Sequence, residues 1–498
     1  MVFVFAFYKK WWFRLDLNQR HNALQASALP TELQNHSQNY NTKIFFTTPL
    51  SSKKLRDDTE KHGIIVFMRK LNTSPISGMQ EFLPADQAIF DNFKDKISEV
   101  YHSHGFQHIE TPTIDRSEIL FAKAGGDTEK QIYKVFKTAE TADTADQALR
   151  FDHTVPLARY VVEHENDLSF PFRVTQIGRN FRGERAQKGR FREFYQCDLD
   201  VIGRGNLPIA YDAEVIATYF STLEALNLPK PIVRISNRKI LTGLIEELAL
   251  EQFSGEIFGI IDHAEKVPAA TTRESLDNLK IGADAVEKII DFIDIHGTKR
   301  EVEKRLRNFD FGSETFLAGV EELLFVLDLL EKQGLTGKTI ADMLIVRGLD
   351  YYTGTVFEAV LDDYRYIGSI GGGGRYENLT GHFSDQSFPG VGGSIGLSRL
   401  FFVLQENKLL TSVTRPPIDF AIVPISEHEF EFCFELADKI RKRGQSVDII
   451  FSGKKLGDKL THAGKIAQFA VVVGENETKS GNLVKKNLVT GEQSKLDA

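Results

Sequence analysis

One segment of this 498-residue chain concentrates charged groups at spacings that could bind a ligand: FRVTQIGRNFRGERAQKGRFREFYQCDLDVIG, residues 172–203. Two strand-like runs flank a turn with Gly183 and Gly189, and six cations lie in or near it: Arg179, Arg182, Arg185, Lys188, Arg190 and Arg192. In the second run a two-residue period sends Tyr195, Cys197, Leu199 and Val201 to one face, and Gln196, Asp198 and Asp200 to the other. Carboxylates on a strand whose second face is apolar are costly to bury without partners. A cationic ligand would supply them, and so would the nearby arginines; an exposed hairpin with a solvated polar face is the alternative.

Two glycine blocks, GGGGRY (371–376) and GVGGSIG (390–396), invite a dinucleotide reading. Neither opens a helix as G-x-G-x-x-G with an acidic residue about 20 positions on, and the chain has no G-x-x-x-x-G-K-[ST] loop. The glycines are better read as letting backbone pass close to a ligand. Cys197 and Cys433 are far apart, with no C-x-x-C and no Cys/His cluster. That fits a reducing compartment, and no protein metal site is expected.

These residues need elements to position them. Residues 85–103 carry apolar groups at helical spacing and stop before Gly105. Short strand-like runs follow to about residue 202, then a helix over 208–227. Residues 238–340 read as a charge-laced helical insertion. Strand signals resume at Ile345 and run through the glycine blocks to Arg399. Pro416–Pro417 marks a boundary, after which FAIVPI, a helix over 427–443, SVDIIF, a helix near 454–467 and FAVVVG alternate as a compact α/β module. The composition (42% hydrophobic, 26% charged) is globular, and no run of 18 apolar residues exists to span a membrane. A net charge of −8 argues against a coat of positive charge for nonspecific nucleic-acid binding, although a local basic groove suffices for phosphate contacts.

Residues 1–67 do not match the rest. They lack helical or strand periodicity after MVFVFAFYKKWW, are rich in Asn, Gln, Ser and Thr, and hold both tryptophans, Trp11 and Trp12. Lysines follow the short apolar stretch instead of preceding it, so no signal peptide is read. The expectation is a disordered or spuriously translated extension, with Met68 as the natural start.

The 172–203 segment resembles motif 2 of class II aminoacyl-tRNA synthetases, and REFYQCDLDVIG resembles its histidyl version. Four further segments agree in order. GFQHIETPTID (105–115) resembles motif 1, with Pro112 at the dimer-interface position. LRFDHTVPLARYV (149–161) resembles the segment lining the amino-acid pocket. RGLDYYTGTVFE (347–358) is similar to the signature peptide of histidyl-tRNA synthetases, and GGSIGLSRL (392–400) resembles motif 3, with Arg399 as its arginine. The likeness covers roughly residues 76 to 495.

The resemblance implies an α+β class II catalytic domain over 68–410, an antiparallel sheet flanked by helices with the helical insertion at about 238–340. A C-terminal α/β anticodon-binding domain follows at 417–498. It implies a histidine–tRNA ligase: ATP-dependent formation of histidyl-adenylate, then transfer to the 3′ end of the histidine tRNA. In that chemistry a carboxylate attacks the α-phosphate, so cations must screen two approaching anions, and arginine's planar fork suits phosphate. Arg182, Arg347 and Arg399 take the catalytic positions, and Arg190 joins them around ATP, which carries Mg2+. The resemblance places Asp152, Thr154 and Gln196 around the histidine ammonium, and Asp200 and Tyr352 at the imidazole. Tyr351 and Tyr376 complete the wall. The resemblance also puts His153, between Asp152 and Thr154, among the histidine-binding residues, with its side chain read as packing or solvent-facing rather than as a base. Arg185 and Gln187 are candidates for the tRNA acceptor end, and Lys454 and Lys455, with Lys459 and Lys465, for a phosphate-facing helix surface. The implied partners are tRNA, L-histidine, ATP and a second copy of the chain, with no DNA and no membrane, in the cytoplasm. A regulatory paralogue that controls histidine biosynthesis would degrade the catalytic motifs and lack the C-terminal module; both are present here.

Overall fold

The computed structural model describes residues 71–122, 129–138, 146–346, 352–377, 380–381, 383–410, 418–453 and 455–496. Residues 1–67, Arg347, Tyr351 and Lys454 therefore lie outside the described residues. The chain divides into two units, Met1–Ser74 and Pro75–Ala498, and every helix and strand described belongs to the second.

Helix α1 (Pro84–Ser103) starts on a proline, which has no N–H to lose at that position. It buries Phe90, Phe93, Ile97 and Tyr101 at helical spacing, and Gly105 ends it in the left-handed region at φ 81°. The chain continues through β1 (Gln107–His108), β2 (Ile114–Arg116), α2 (Ser117–Phe121), β3 (Lys134–Val135), β4 (Gln147–Leu149) and α3 (Thr154–Glu163). The hairpin β5 (Phe172–Phe181) and β6 (Glu193–Ile202) is in register along its whole length, from Phe172 opposite Ile202 to Phe181 opposite Glu193. Next come α4 (Ala210–Ala225) and β7 (Pro231–Asn237).

The helical region comprises α5 (Arg238–Glu247), α6 (Ser254–Ala264), α7 (Ala269–Asn278), α8 (Ala283–Ile293), the short β8 (His296–Gly297), α9 (Lys299–Arg307) and α10 (Glu314–Lys332). It leads into β9 (Thr339–Asp342), which pairs in parallel with β7. The helices thus form the crossover connection that a parallel pair requires. Residues 343–346 form a turn and a short irregular stretch, so the strand expected from Ile345 instead runs as β10 (Tyr352–Leu361). β11 (Gly371–Tyr376), β12 (Gly390–Ile395) and α11 (Leu397–Glu406) complete this part.

The nine strands are ordered β1-β5-β6-β12-β11-β10-β7-β9-β8. Pairing is antiparallel except at β1–β5 and β7–β9. One face of the sheet packs on α1, α4 and the helical region around a core that includes Cys197, Leu199 and Val201. This is the apolar face that the two-residue period in β6 predicts.

The C-terminal sheet is ordered β14-β13-β15-β16-β17, from β13 (Ile418–Pro424), β14 (Val447–Ile449), β15 (Ala467–Val473), β16 (Leu483–Asn487) and β17 (Gln493–Leu496). Helices α12 (Phe430–Arg441) and α13 (Leu456–Ile466) connect its three parallel strands, and α14 (Glu475–Ser480) precedes β16.

Candidate active site

The polar face of β6 opens onto a cavity of about 1080 Å³. Gln196, Asp198 and Asp200 line it from β6, Asp152 and Thr154 from the start of α3, and Tyr352 and Tyr376 from β10 and β11. Arg182, Gln187, Lys188 and Arg190 line it from the turn between β5 and β6, and Arg399 from the first turn of α11. One hairpin therefore carries carboxylates along its strand and cations at its tip.

The carboxylate end is buried and ordered by its own hydrogen bonds. Tyr376 donates its hydroxyl to Asp200 Oδ1 at 2.9 Å. Burial pushes the Asp200 carboxyl up to about 8; the neighbouring Asp198 and Asp152 add to the rise and the Tyr376 hydrogen bond opposes it. Asp152 accepts the Val155 N–H at 3.1 Å, and burial raises its pKa as well. Gln196 accepts from Asn180 at 2.9 Å and donates to Ser394 Oγ at 2.6 Å, which fixes its amide.

At the cationic end, the Arg182 guanidinium lies 4.3 Å from the Phe151 ring centre and 5.0 Å from that of Phe194. Stacking and an Nε–H bond to the Phe151 carbonyl at 3.4 Å hold the fork in place. Arg190 pairs with Glu184, and Lys188 reaches Glu406 on α11 at 3.1 Å. The turn closes through mutual backbone bonds between Gln187 and Arg190, with Gly189 at φ 70° against Phe402. Arg399 donates to the Ile367 carbonyl at 2.9 Å.

Asp152, Thr154, Arg182, Gln187, Arg190, Gln196, Asp200, Tyr352, Tyr376 and Arg399 thus share one cavity. His153 does not line it. Its ring is buried and bonds Asp198, so the solvent-facing reading gives way to a packed one. Arg185 is exposed on the turn and is not among the lining residues. Lys455 is exposed in the C-terminal module, whereas Lys459 is buried and donates to the Pro424 carbonyl at 2.7 Å. Lys459 is therefore tied up inside the module instead of facing phosphate. The sequence reading gave no role to Asp198 or to Arg234, which enters the cavity from β7. The period in β6 was the available signal for Asp198; Arg234 had none. Among the described residues no group of three His, Cys, Asp or Glu side chains could hold a metal ion.

Known proteins resemble this chain over most of its length. The family model described as Histidyl-tRNA synthetase matches residues 78–400, and the one described as Anticodon binding domain matches 419–498. A histidine–tRNA ligase of Clostridium tetani is 43% identical over 425 residues, covering 85% of this chain and 95% of that protein. One of Clostridium acetobutylicum is 40% identical over 431 residues, covering 86% and 98%. The crystal structure of histidyl-tRNA synthetase from Nostoc sp. PCC 7120 matches with a TM-score of 0.77 at 37% identity, over 86% of this chain and 97% of that one. The mixed sheet, its motif 2 hairpin and the separate C-terminal module have the architecture of a class II aminoacyl-tRNA synthetase. Within that class, the chain belongs to the histidyl-tRNA synthetase family.

Proposed function

We propose that the chain is a histidine–tRNA ligase, activating L-histidine with ATP and charging tRNA with it for translation. One observation carries the assignment of the cavity: a single hairpin puts Asp198, Asp200 and Gln196 on its strand and Arg182 and Arg190 at its tip.

The histidine ammonium sits against Asp152, Thr154 and Gln196, and its imidazole against Asp200, Tyr352 and Tyr376, beside Tyr351. A site built to hydrogen-bond a polar ring rejects apolar analogues, because its own buried groups would be left unpaired. ATP, the substrate of this family, arrives with Mg2+ on its phosphates, and such an ion keeps several waters and needs few protein ligands. The phosphates lie at Arg182, Arg190, Arg399 and Arg347. A carboxylate oxygen of histidine attacks the α-phosphorus, diphosphate leaves, and the arginines hold the charge growing on the phosphoryl oxygens. The tRNA 3′ end then takes the histidyl group and AMP is released.

Arg185 and Gln187 on the turn meet the acceptor end of tRNA, and Lys454 and Lys455 meet the anticodon arm. Two copies associate through the segment around Pro112, where Pro112 and Ile114 are exposed in the single chain. The enzyme works in the cytoplasm and does not use DNA. Among the described residues no helix is long and apolar enough to cross a membrane. Histidine-dependent exchange of diphosphate into ATP, followed by charging of histidine tRNA, tests the proposal. Folded protein that gives no exchange overturns it.

A further inference from the structure

Beside the carboxylate end lies a buried couple with no assigned part in the reaction. His153 Nδ1 is 2.9 Å from Asp198 Oδ2, and the two residues are 1% and 5% exposed. With an ionised carboxylate, the shared proton sits on Nδ1.

Three features build this contact. Gly178 on β5 faces Gln196 on β6; a Cβ there would lie 2.6 Å from Arg150 Nη2 and 3.2 Å from His153 Nε2. The glycine thus leaves the shelf on which the imidazole and guanidinium lie. Gln176, the register partner of Asp198, donates to the His153 carbonyl at 3.3 Å and accepts from Thr111 Oγ1 at 2.8 Å. The same His153 carbonyl accepts the Leu157 N–H at 3.0 Å as α3 begins. The imidazole is therefore held from its backbone, from the sheet beneath it and from the helix start.

Asp198 lies between Gln196 and Asp200 on one strand face and lines the cavity, which His153 does not. Its Oδ1 is buried with no hydrogen-bond partner, so His153 is the group that orients the carboxylate.

We propose that His153 and Asp198 form a positioning couple for the amino-acid pocket, in which His153 fixes the place of the Asp198 carboxyl beside Asp200 and Asp152 and so sets the pH range over which the pocket accepts histidine. The inference rests on reading the cavity as the histidine site. Asp198 contributes to the raised pKa of both Asp200 and Asp152, after burial in each case. Other charged or titratable groups face the same place. Arg150 reaches over the sheet from the end of β4, Arg182 acts from the hairpin tip, and Tyr101 lies beneath the sheet on α1. Tyr376 and Tyr352 close it from β11 and β10. Among the neighbours on the cavity side, Asp198 is the carboxylate held by an imidazole.

Histidine-dependent exchange measured across pH, with KM determined separately for histidine and ATP, tests the couple. Histidine's own groups titrate identically for every variant, so differences between variants belong to the protein. Asp198→Asn keeps the shape and removes the charge. Asp200 then ionises at lower pH, and the limb over which histidine KM improves moves down by about one pH unit. His153→Leu raises histidine KM about tenfold with ATP KM unchanged, and His153→Asn, whose amide N–H can replace Nδ1–H, restores most of it. A limb in Asp198→Asn that superimposes on wild type overturns the proposal. So does a rise in ATP KM equal to that for histidine in His153→Leu. If Asp198→Asn does not fold, the Leu and Asn variants at His153 decide by the KM split and its rescue. Wild-type protein with no exchange overturns the proposed function itself.

Discussion

Tyr376 and Asp200 meet across a strand that lies between them. Asp200 is on β6, Tyr376 on β11, and β12 separates the two. Asp200 faces Gly392 in the register and Tyr376 faces Gly390. A Cβ built on Gly392 would overlap Asp200 Oδ1, and one on Gly390 would overlap the Tyr376 ring. The glycines of β12 clear the path for one hydrogen bond. Gly392→Ala is expected to displace Asp200, raise histidine KM at least about tenfold and cost about 1–3 kcal/mol of stability by overpacking. Exchange kinetics with a urea titration check both, and ATP KM is expected to stay near wild type.

The same carboxyl makes stability depend on pH. Its folded pKa of about 8 lies above its ordinary value of 3.8, so the folded chain binds the extra proton between those limits. The contribution is full below the lower value and is lost as pH rises through the upper one. Asp152 and Asp212, also raised by burial, act with the same sign. Ligand-free wild type is expected to lose melting temperature from pH 5 to pH 8.5 more steeply than Asp200→Asn. Parallel melting curves for the two proteins would contradict this.

The polar face of β6 was legible because it is a local pattern: one residue in two points into the cavity, and Gln196, Asp198 and Asp200 obey it. The glycine blocks were legible only as open space. That β12 uses the space for a contact between β6 and β11 depends on strand order, which no local pattern carries. Which of the two readings of His153 holds, packed or solvent-facing, was illegible for the same reason, since its burial depends on Gly178 in β5 clearing the shelf beneath it. Lys459 looked like a surface cation because its helix is charged, but Gly453 at φ 110° folds the preceding loop against its side chain. The helical character of about 238–340 was readable from its charge lacing; that the helices stop at Lys332 and serve as the crossover between β7 and β9 was not.

Arg182 owes its place to Phe151 and Phe194, whose rings flank its guanidinium. Arg182→Lys keeps a charge but loses the planar fork and the stacking, and is expected to lower the exchange rate by about 10²–10³-fold. Phe194→Leu leaves the arginine and removes one ring, with an expected loss of about tenfold. Equal rates for the lysine variant and wild type would remove Arg182 from phosphate binding.

Arg234 holds two carboxylates that its own strand does not supply. Its Nε donates to Asp342 Oδ2 on β9 at 2.8 Å, and its Nη1 donates to the Glu265 carboxylate, just past α6, at 2.8 and 3.0 Å. The two partners differ in what removal of the arginine would leave behind. Asp342 is 8% exposed, while the Glu265 side chain is 55% exposed and can return to water. Arg234→Ala strands a buried carboxylate and is expected to destabilise by about 3–5 kcal/mol. Glu265→Ala breaks only a screened contact and is expected to cost less than about 1 kcal/mol. Replacing Arg234 by Met and Asp342 by Leu together removes both buried charges, and is expected to recover most of the loss seen for Arg234→Ala. Urea denaturation of the four proteins measures all three differences, and a double variant no more stable than Arg234→Ala would show that the arginine acts through Glu265 instead.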